Sequence, residues 1–95
     1  MIKEYFFVDE IPDGTFMIKV NTELISLKGA RGSLNVIPAR VCGLTYAEYL
    51  RYCRSEFGAE LRGKKGYPYP VFKNKSNAQK LSKQLSERFN ALIVI

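Results

Sequence analysis

Apolar and β-branched residues fill most of the first twenty positions. Residues 2–9 (IKEYFFVD) and 15–20 (TFMIKV) are rich in β-forming side chains, and the stretch IPDG lies between them. Proline suits the second position of a β-turn, and glycine suits its last position. The pattern therefore predicts an N-terminal β-hairpin over residues 1–20.

Two later segments have the apolar spacing of amphipathic helices. The first is predicted to begin at Thr45, because Thr45 and Glu48 have the spacing of a capping box, and to end at Gly58. Its predicted buried stripe consists of Tyr46, Tyr49, Leu50, Cys53 and Phe57. The second is predicted to begin after Ser76, a candidate N-cap residue. Its predicted buried stripe consists of Ala78, Leu81, Leu85 and Phe89.

Short apolar runs beside these helices predict strands. Residues 34–41 (LNVIPARV) are β-branched up to Pro38 and predict a strand that runs up to the proline. Residues 59–64 and 69–73 predict two further strands joined by a short connection. The C-terminal run 91–95 (ALIVI) is apolar throughout and predicts a buried strand.

The order of these elements indicates a fold class. Residues 34–95 have the order strand, helix, strand, strand, helix, strand, which is the ferredoxin-like βαββαβ order. We therefore expect an α+β fold, with an antiparallel sheet that carries two helices on one face and is preceded by the hairpin of residues 1–20. Residues 21–33 are compatible with helix, strand or loop. A chain of 95 residues has room for one hydrophobic core, so we expect a single domain over residues 1–95.

Composition argues against several kinds of chemistry. The chain has no histidine, which removes the usual general base near neutral pH and the commonest metal ligand. Cys42 and Cys53 do not have the spacing of a zinc or redox motif. Asp9, Glu10 and Asp13 lie around the predicted turn and lack the spacing of a calcium loop. We predict a protein that is not an enzyme, with no metal site and no cofactor; an enzyme that uses these carboxylates and a metal ranks last.

The chain also lacks the signals of a membrane or secreted protein. No stretch approaches the roughly 20 apolar residues of a membrane span, and the N-terminus has no signal-peptide pattern. Two cysteines are few for a secreted domain of this size. We expect a cytoplasmic location and no membrane partner.

Positive charge is concentrated in the second half of the chain. Residues 1–50 contain five Lys or Arg and six Asp or Glu, whereas residues 51–95 contain ten and three. The net charge is therefore −1 for the first half and +7 for the second. This asymmetry favours an anionic partner. The alternative is a basic surface that only keeps the domain soluble.

The basic residues of the second half surround two tyrosines. In the stretch KKGYPYPVFKNK, residues 64–75, lysines could contact phosphates while the rings stack on bases. The alternative is a hairpin end with solvated lysines. The candidate nucleic-acid-binding residues are Arg51, Arg54, Arg62, Lys64, Lys65, Tyr67, Tyr69, Lys73, Lys75, Lys80 and Lys83.

Part of this stretch is similar to the third-strand signature of RNA-recognition-motif domains. The similar positions are Lys65, Gly66, Tyr67, Tyr69 and Phe72. Pro68 and Pro70 depart from the signature, and residues 34–41 lack the aromatic of the family's first strand. The similarity covers eight residues, so we do not assign the family.

Two functions follow from these patterns. The first is a small binding domain that contacts RNA or single-stranded DNA through the basic, tyrosine-containing surface of the second half. The second is a protein-interaction module, such as an inhibitor or adaptor of a nucleic-acid-handling complex encoded by a mobile element. Tyr52, Tyr67 and Tyr69 would then be interface anchors. A second copy of the chain, added at an open sheet edge, is a further candidate partner.

Overall fold

The structure covers most of the chain in three stretches. The computed structural model describes residues 3–24, 36–63 and 68–94. Residues 21–24, at the start of the segment whose structure the sequence left open, form a turn after the first hairpin. The remainder of that segment, including the GARG sequence, lies outside the described residues.

The N-terminal hairpin has the predicted form. Strand β1 (Phe6–Glu10) pairs antiparallel with strand β2 (Phe16–Val20). The Gly14 amide donates to the Ile11 carbonyl (2.9 Å) and closes the turn. Gly14 has a φ of +84°, which glycine adopts without the strain that a side chain would add. The hairpin prediction is confirmed.

A second hairpin follows later in the chain. Strand β3 (Glu60–Arg62) pairs antiparallel with strand β4 (Tyr69–Val71), as the sequence predicts. Phe72, one residue beyond β4, exchanges two backbone hydrogen bonds of 2.8 Å with Phe16 of β2. This bridge joins the hairpins, so the strands lie in the order β1, β2, β4, β3.

Pro70 explains why the two hairpins share a single bridge in the described part of the chain. Backbone groups of successive strand residues point to opposite sides. Because the amide and carbonyl of Phe72 point to β2, those of Val71 point to β3, and the nitrogen of Pro70 again points to β2. Proline has no N–H to donate there. Pairing with β3 nevertheless extends to Tyr69, since Pro70 faces Leu61 without having to donate.

Helix α2 (Tyr46–Phe57) matches its prediction closely. The Thr45 hydroxyl accepts from the Glu48 amide (3.2 Å), and the Glu48 carboxylate accepts from the Thr45 amide (3.0 Å), which completes the capping box. Gly58 ends the helix in the left-handed conformation. The predicted stripe of apolar residues faces the core, with Tyr49 and Cys53 almost fully buried.

The predicted first strand of the ferredoxin-like order is instead helical. Ile37–Val41 form the short helix α1, and Leu34 and Asn35 lie outside the described residues. Pro38 lies in the first turn of α1, where its fixed φ is compatible with a helix and its missing N–H costs no hydrogen bond. Ala39 and Val41 are buried in the core, so tertiary packing overrides the β-branched character of the segment.

The predicted C-terminal strand is also helical. Helix α3 (Lys75–Val94) extends through residues 91–94, and Ile95 lies outside the described residues. A short apolar run fits a helix and a strand equally well, and here the run continues the preceding helix. Its N-cap is Asn74 rather than Ser76, because the Asn74 side chain accepts from two amides of the first turn.

The helices and hairpins enclose one hydrophobic core. Helix α3 packs against β1 and β2, α2 packs against β3 and β4, and α1 contacts both longer helices. The largest fully buried side chains are Tyr49, Phe6, Phe72, Leu81, Leu85, Val71 and Cys53. The described residues thus form a small α+β fold with two two-stranded antiparallel sheets and three helices. The ferredoxin-like order is not confirmed, because the residues predicted as its outer strands are helical.

Candidate nucleic-acid interface

Two of the predicted cations lie on the solvent side of α2. Arg51 and Arg54 are exposed, whereas Tyr49, Leu50 and Cys53 of the same helix are buried. This separation follows from the apolar spacing that defines the helix. Arg51 and Arg54 are three residues apart, so they neighbour each other on the helix surface.

Two further predicted cations lie on α3, which packs beside α2. Lys80 and Lys83 are exposed, and Leu81 between them is fully buried. The Tyr52 hydroxyl of α2 donates to the Gln84 side-chain oxygen of α3 (3.0 Å), so the two helices contact each other near these lysines. We define the helical cationic face as Arg51, Arg54, Lys80 and Lys83.

Two other predicted cations are paired with carboxylates from elsewhere in the fold. Arg62 lies in β3 and forms ion pairs with Asp13 of the first turn and with Glu60. Lys73 forms an ion pair with Glu60, with a distance of 2.9 Å from Nζ to the carboxylate. Thr15 completes the group, because its hydroxyl accepts from Arg62 (3.3 Å). We call these five residues the Arg62 cluster.

Hydrogen bonds in the Arg62 cluster stabilise the charged forms of its members. The hydroxyl and amide of Thr15, and then Arg62, donate to Asp13 and lower its pKa to about 2. Lys73 is the main cause of the lowered pKa of Glu60. The bond to Asp13 is the main cause of the raised pKa of Arg62. The two cations and two carboxylates carry no net charge together, so the Arg62 cluster by itself attracts polyanions weakly.

Tyr69 lies between the two hairpins and not on the helical cationic face. Its half-buried side chain lines a groove of about 300 Å³ between the hairpins, next to α1 and α2. The Tyr46 hydroxyl, on the same groove, donates to the Pro68 carbonyl (2.6 Å). The groove is lined by Met17, Ile18, Lys19, Val20, Pro38, Tyr46, Tyr49, Tyr69 and Pro70. It opens where Pro70 prevents β2 and β4 from pairing further.

Lys75 lies on another surface, between β1 and α3. A groove of about 620 Å³ there is lined by Lys75 and Lys83 of α3 and by Lys3 and Phe7 from the N-terminal part of the chain. The sequence prediction missed Lys3 and Phe7. Phe7 alternates with the more buried Phe6 and Val8, so the two-residue period of a strand could have identified it. No comparable local signal exists for Lys3.

The predicted residues therefore fall into separate groups. Those of the helical cationic face lie on adjacent helices, and Arg62 and Lys73 belong to the Arg62 cluster. Tyr69 lines one groove, and Lys75 lines another together with Lys83 of the helical cationic face. The predicted residues Lys64, Lys65 and Tyr67 lie outside the described residues.

The described residues contain neither a metal cluster nor a membrane-length apolar helix. Within residues 3–24, 36–63 and 68–94, no three acidic or cysteine side chains are grouped closely enough to hold a metal ion. In the same ranges no helix combines the length and the apolar character that crossing a bilayer requires.

The two thiols are free and lie inside or beside the core. Cys53 is fully buried and Cys42 is partly buried. Burial is the main cause of the raised pKa of both thiols, which reaches about 11 for Cys53. Since the thiolate is the reactive form, these cysteines are suited to packing rather than to nucleophilic chemistry.

Comparison with known proteins adds no relative. No family model matches the chain, and neither the curated proteins nor the solved structures include a significant match.

Proposed function

We propose that this protein is a small non-catalytic domain that binds RNA or single-stranded DNA through the helical cationic face. One observation carries the proposal: Arg51, Arg54, Lys80 and Lys83 are exposed on adjacent helices. Among the described residues, no carboxylate lies within ion-pair distance of any of the four. Arg62 and Lys73, by contrast, have such partners, so the helical cationic face supports this function better than the Arg62 cluster does.

The contact would be mainly electrostatic. Cations that neutralise phosphates release condensed counterions, so affinity falls as salt rises, with a logarithmic slope of about −0.7 per contact for single strands. Four contacts give a slope of about −3 by the same relation. Such contacts follow the backbone and carry little sequence preference.

A salt titration tests this proposal. A fluorescein-labelled 20-nucleotide U-tract RNA and the matching T-tract DNA are titrated with the full chain, and binding is followed by fluorescence anisotropy. Raising the salt from 50 to 200 mM is expected to weaken binding by roughly 50-fold. Absence of micromolar binding to either strand at 50 mM salt would remove the proposal.

A second candidate is a protein-interaction module, such as an inhibitor or adaptor of a nucleic-acid-handling complex. It is supported by the position of Tyr69, which lines a mainly apolar groove. Tyrosines at the margin of apolar grooves are common interface anchors. This candidate would be favoured if a partner co-purifies from a nuclease-treated lysate and if Tyr69→Ala reduces the amount recovered. Loss of the partner on nuclease treatment would favour the first candidate. For both candidates we propose the cytoplasm, a reducing compartment that suits free thiols.

A further inference from the structure

On the edge of β1 that faces away from β2, the described residues of α3 hydrogen-bond the backbone of Phe6 but not that of Val8. The Phe6 amide donates to the Ser86 hydroxyl of α3 (3.2 Å), and the Ser82 hydroxyl donates to the Phe6 carbonyl (2.9 Å). Backbone groups that point outward recur at every second residue of a strand. The amide and carbonyl of Val8 therefore point to the same side as those of Phe6, away from β2. In the described part of the chain, β2 is the only ladder partner of β1.

Val8 lines the groove between β1 and α3, and the opposite wall of this groove is basic. Lys75, Gln79 and Lys83 of α3 follow one another at intervals of four residues, so they form one row along the helix. Lys3 adds a third cation, and two glutamates, Glu4 and Glu87, also line the groove. The groove thus combines free main-chain groups with a net positive charge.

The spacing of the two helical lysines matches the repeat of an extended peptide. Eight residues separate Lys75 from Lys83, which corresponds to about 12 Å along a helix axis. In an extended strand, residues four apart lie on the same face and are separated by roughly 13 Å. Two carboxylates at positions i and i+4 of an added strand could therefore each face one lysine.

We propose that an extended acidic segment of a partner protein adds to the edge of β1 beside Val8, with carboxylates four residues apart facing Lys75 and Lys83. Main-chain hydrogen bonds to Val8 would supply affinity, and the lysines would select the charge of the segment. Phe7, whose side chain is 38% exposed, offers an apolar contact beside the strand. Because Ser82 and Ser86 already hydrogen-bond the backbone carbonyl and amide of Phe6, pairing between the added segment and β1 would end before that residue.

The geometry favours this occupant over two others. A polynucleotide has no peptide backbone that could pair with the amide and carbonyl of Val8. A second copy of the chain would bring its own Lys75 and Lys83 to the same place. The groove shares Lys83 with the helical cationic face but contains neither Arg51, Arg54 nor Lys80, so peptide binding in the groove and nucleic-acid binding on that face can be tested separately.

Selection from a displayed library of random ten-residue peptides, with the full chain as bait, tests the inference. Selected peptides are expected to alternate β-branched with polar residues and to carry Asp or Glu at positions i and i+4. The variant K75Q/K83Q should weaken binding of a synthetic selected peptide at least tenfold. The control R40Q/R88Q, which removes the same charge from exposed positions outside the groove, should change binding less than twofold.

A backbone variant tests the strand pairing itself. Val8→Pro removes an amide that points away from β2, so the hairpin ladder is retained while the added strand loses its donor. We expect at least tenfold weaker peptide binding with an unchanged circular dichroism spectrum. The inference is overturned if selected peptides lack acidic residues or if the two charge-removing double variants give equal losses. A chain that dimerises through Val8 in sedimentation runs would also overturn it.

Discussion

Asp13 forms an ion pair with Arg62, one of the cations in the second half of the sequence, and so makes that cation less available to an anionic partner. Its carboxylate accepts from the Thr15 side chain, the Thr15 amide and Arg62. The sequence predicts Asp13 as a turn residue from its neighbours. Its partnership with Arg62, 49 residues away, arises only because Phe16 and Phe72 join the two hairpins. A local pattern contains no information on a contact of this kind.

The carboxylate of Asp13 should make stability depend on pH. Its pKa is lowered to about 2 in the folded protein, so its contribution to stability is complete above the ordinary carboxyl pKa and is lost as pH falls toward 2. We expect Asp13→Asn to lower the melting temperature at pH 6, with a difference from the original protein that shrinks between about pH 4 and pH 2.

The measurement is thermal unfolding by circular dichroism across this pH range. Glu10→Gln, the matching change at an exposed carboxylate of the same hairpin, serves as the control for loss of a surface carboxylate. A melting difference for Asp13→Asn that is already absent at pH 6, or that grows toward pH 2, would show that the cluster does not stabilise the fold.

Thr45 makes a local contribution that the sequence predicts fully. Replacing Thr45 by alanine removes the hydroxyl that accepts from the Glu48 amide, which should cost about 1 kcal/mol in the free energy of unfolding. Thr45→Ser should retain most of this stability. Urea unfolding of both variants, with Thr22→Ala in an exposed turn as the control, is the measurement; equal midpoints for Thr45→Ala and Thr22→Ala would contradict the role of the cap.

At the scale of elements, the sequence predicts structure well where the signal is local. The IPDG turn, the capping box and the final Gly58 identify the first hairpin and α2, and helical spacing correctly predicts that Arg51, Arg54, Lys80 and Lys83 are exposed. The segments 37–41 and 91–94 are different. Each is short and apolar, and its pattern fits the repeat of a helix as well as that of a strand. Packing against the rest of the core therefore decides its structure.

The contact between α3 and β1 is another feature that depends on tertiary structure. Ser82 and Ser86 are buried and satisfy the amide and carbonyl of Phe6. Ser86→Ala or Ser82→Ala would leave one buried backbone group unsatisfied, which should cost roughly 1–3 kcal/mol each. Urea unfolding measures this loss, and Ser76→Ala on the exposed side of α3 should change stability by less than about 0.5 kcal/mol. Losses no larger than that of the control would refute the contact.

At the scale of the whole molecule, folding redistributes the charge that the sequence separates into halves. The first half supplies Asp13 to Arg62, whereas Arg51, Arg54, Lys80 and Lys83 are exposed on α2 and α3. Charge along a sequence predicts that an anionic partner is favoured, but it cannot predict which cations are already paired. The sequence also does not predict the position of Tyr69, because that position depends on how Pro70 interrupts pairing between the hairpins.

The most direct test of the helical cationic face compares two matched double variants in the anisotropy titration. R51Q/K80Q and R62Q/K73Q each remove one arginine and one lysine, and circular dichroism confirms that both are folded. We predict that R51Q/K80Q weakens binding of the 20-nucleotide RNA by about tenfold and reduces the steepness of the salt dependence by about 1.4. R62Q/K73Q should weaken binding less than threefold. Equal losses for the two variants, or a larger loss for R62Q/K73Q, would contradict the account.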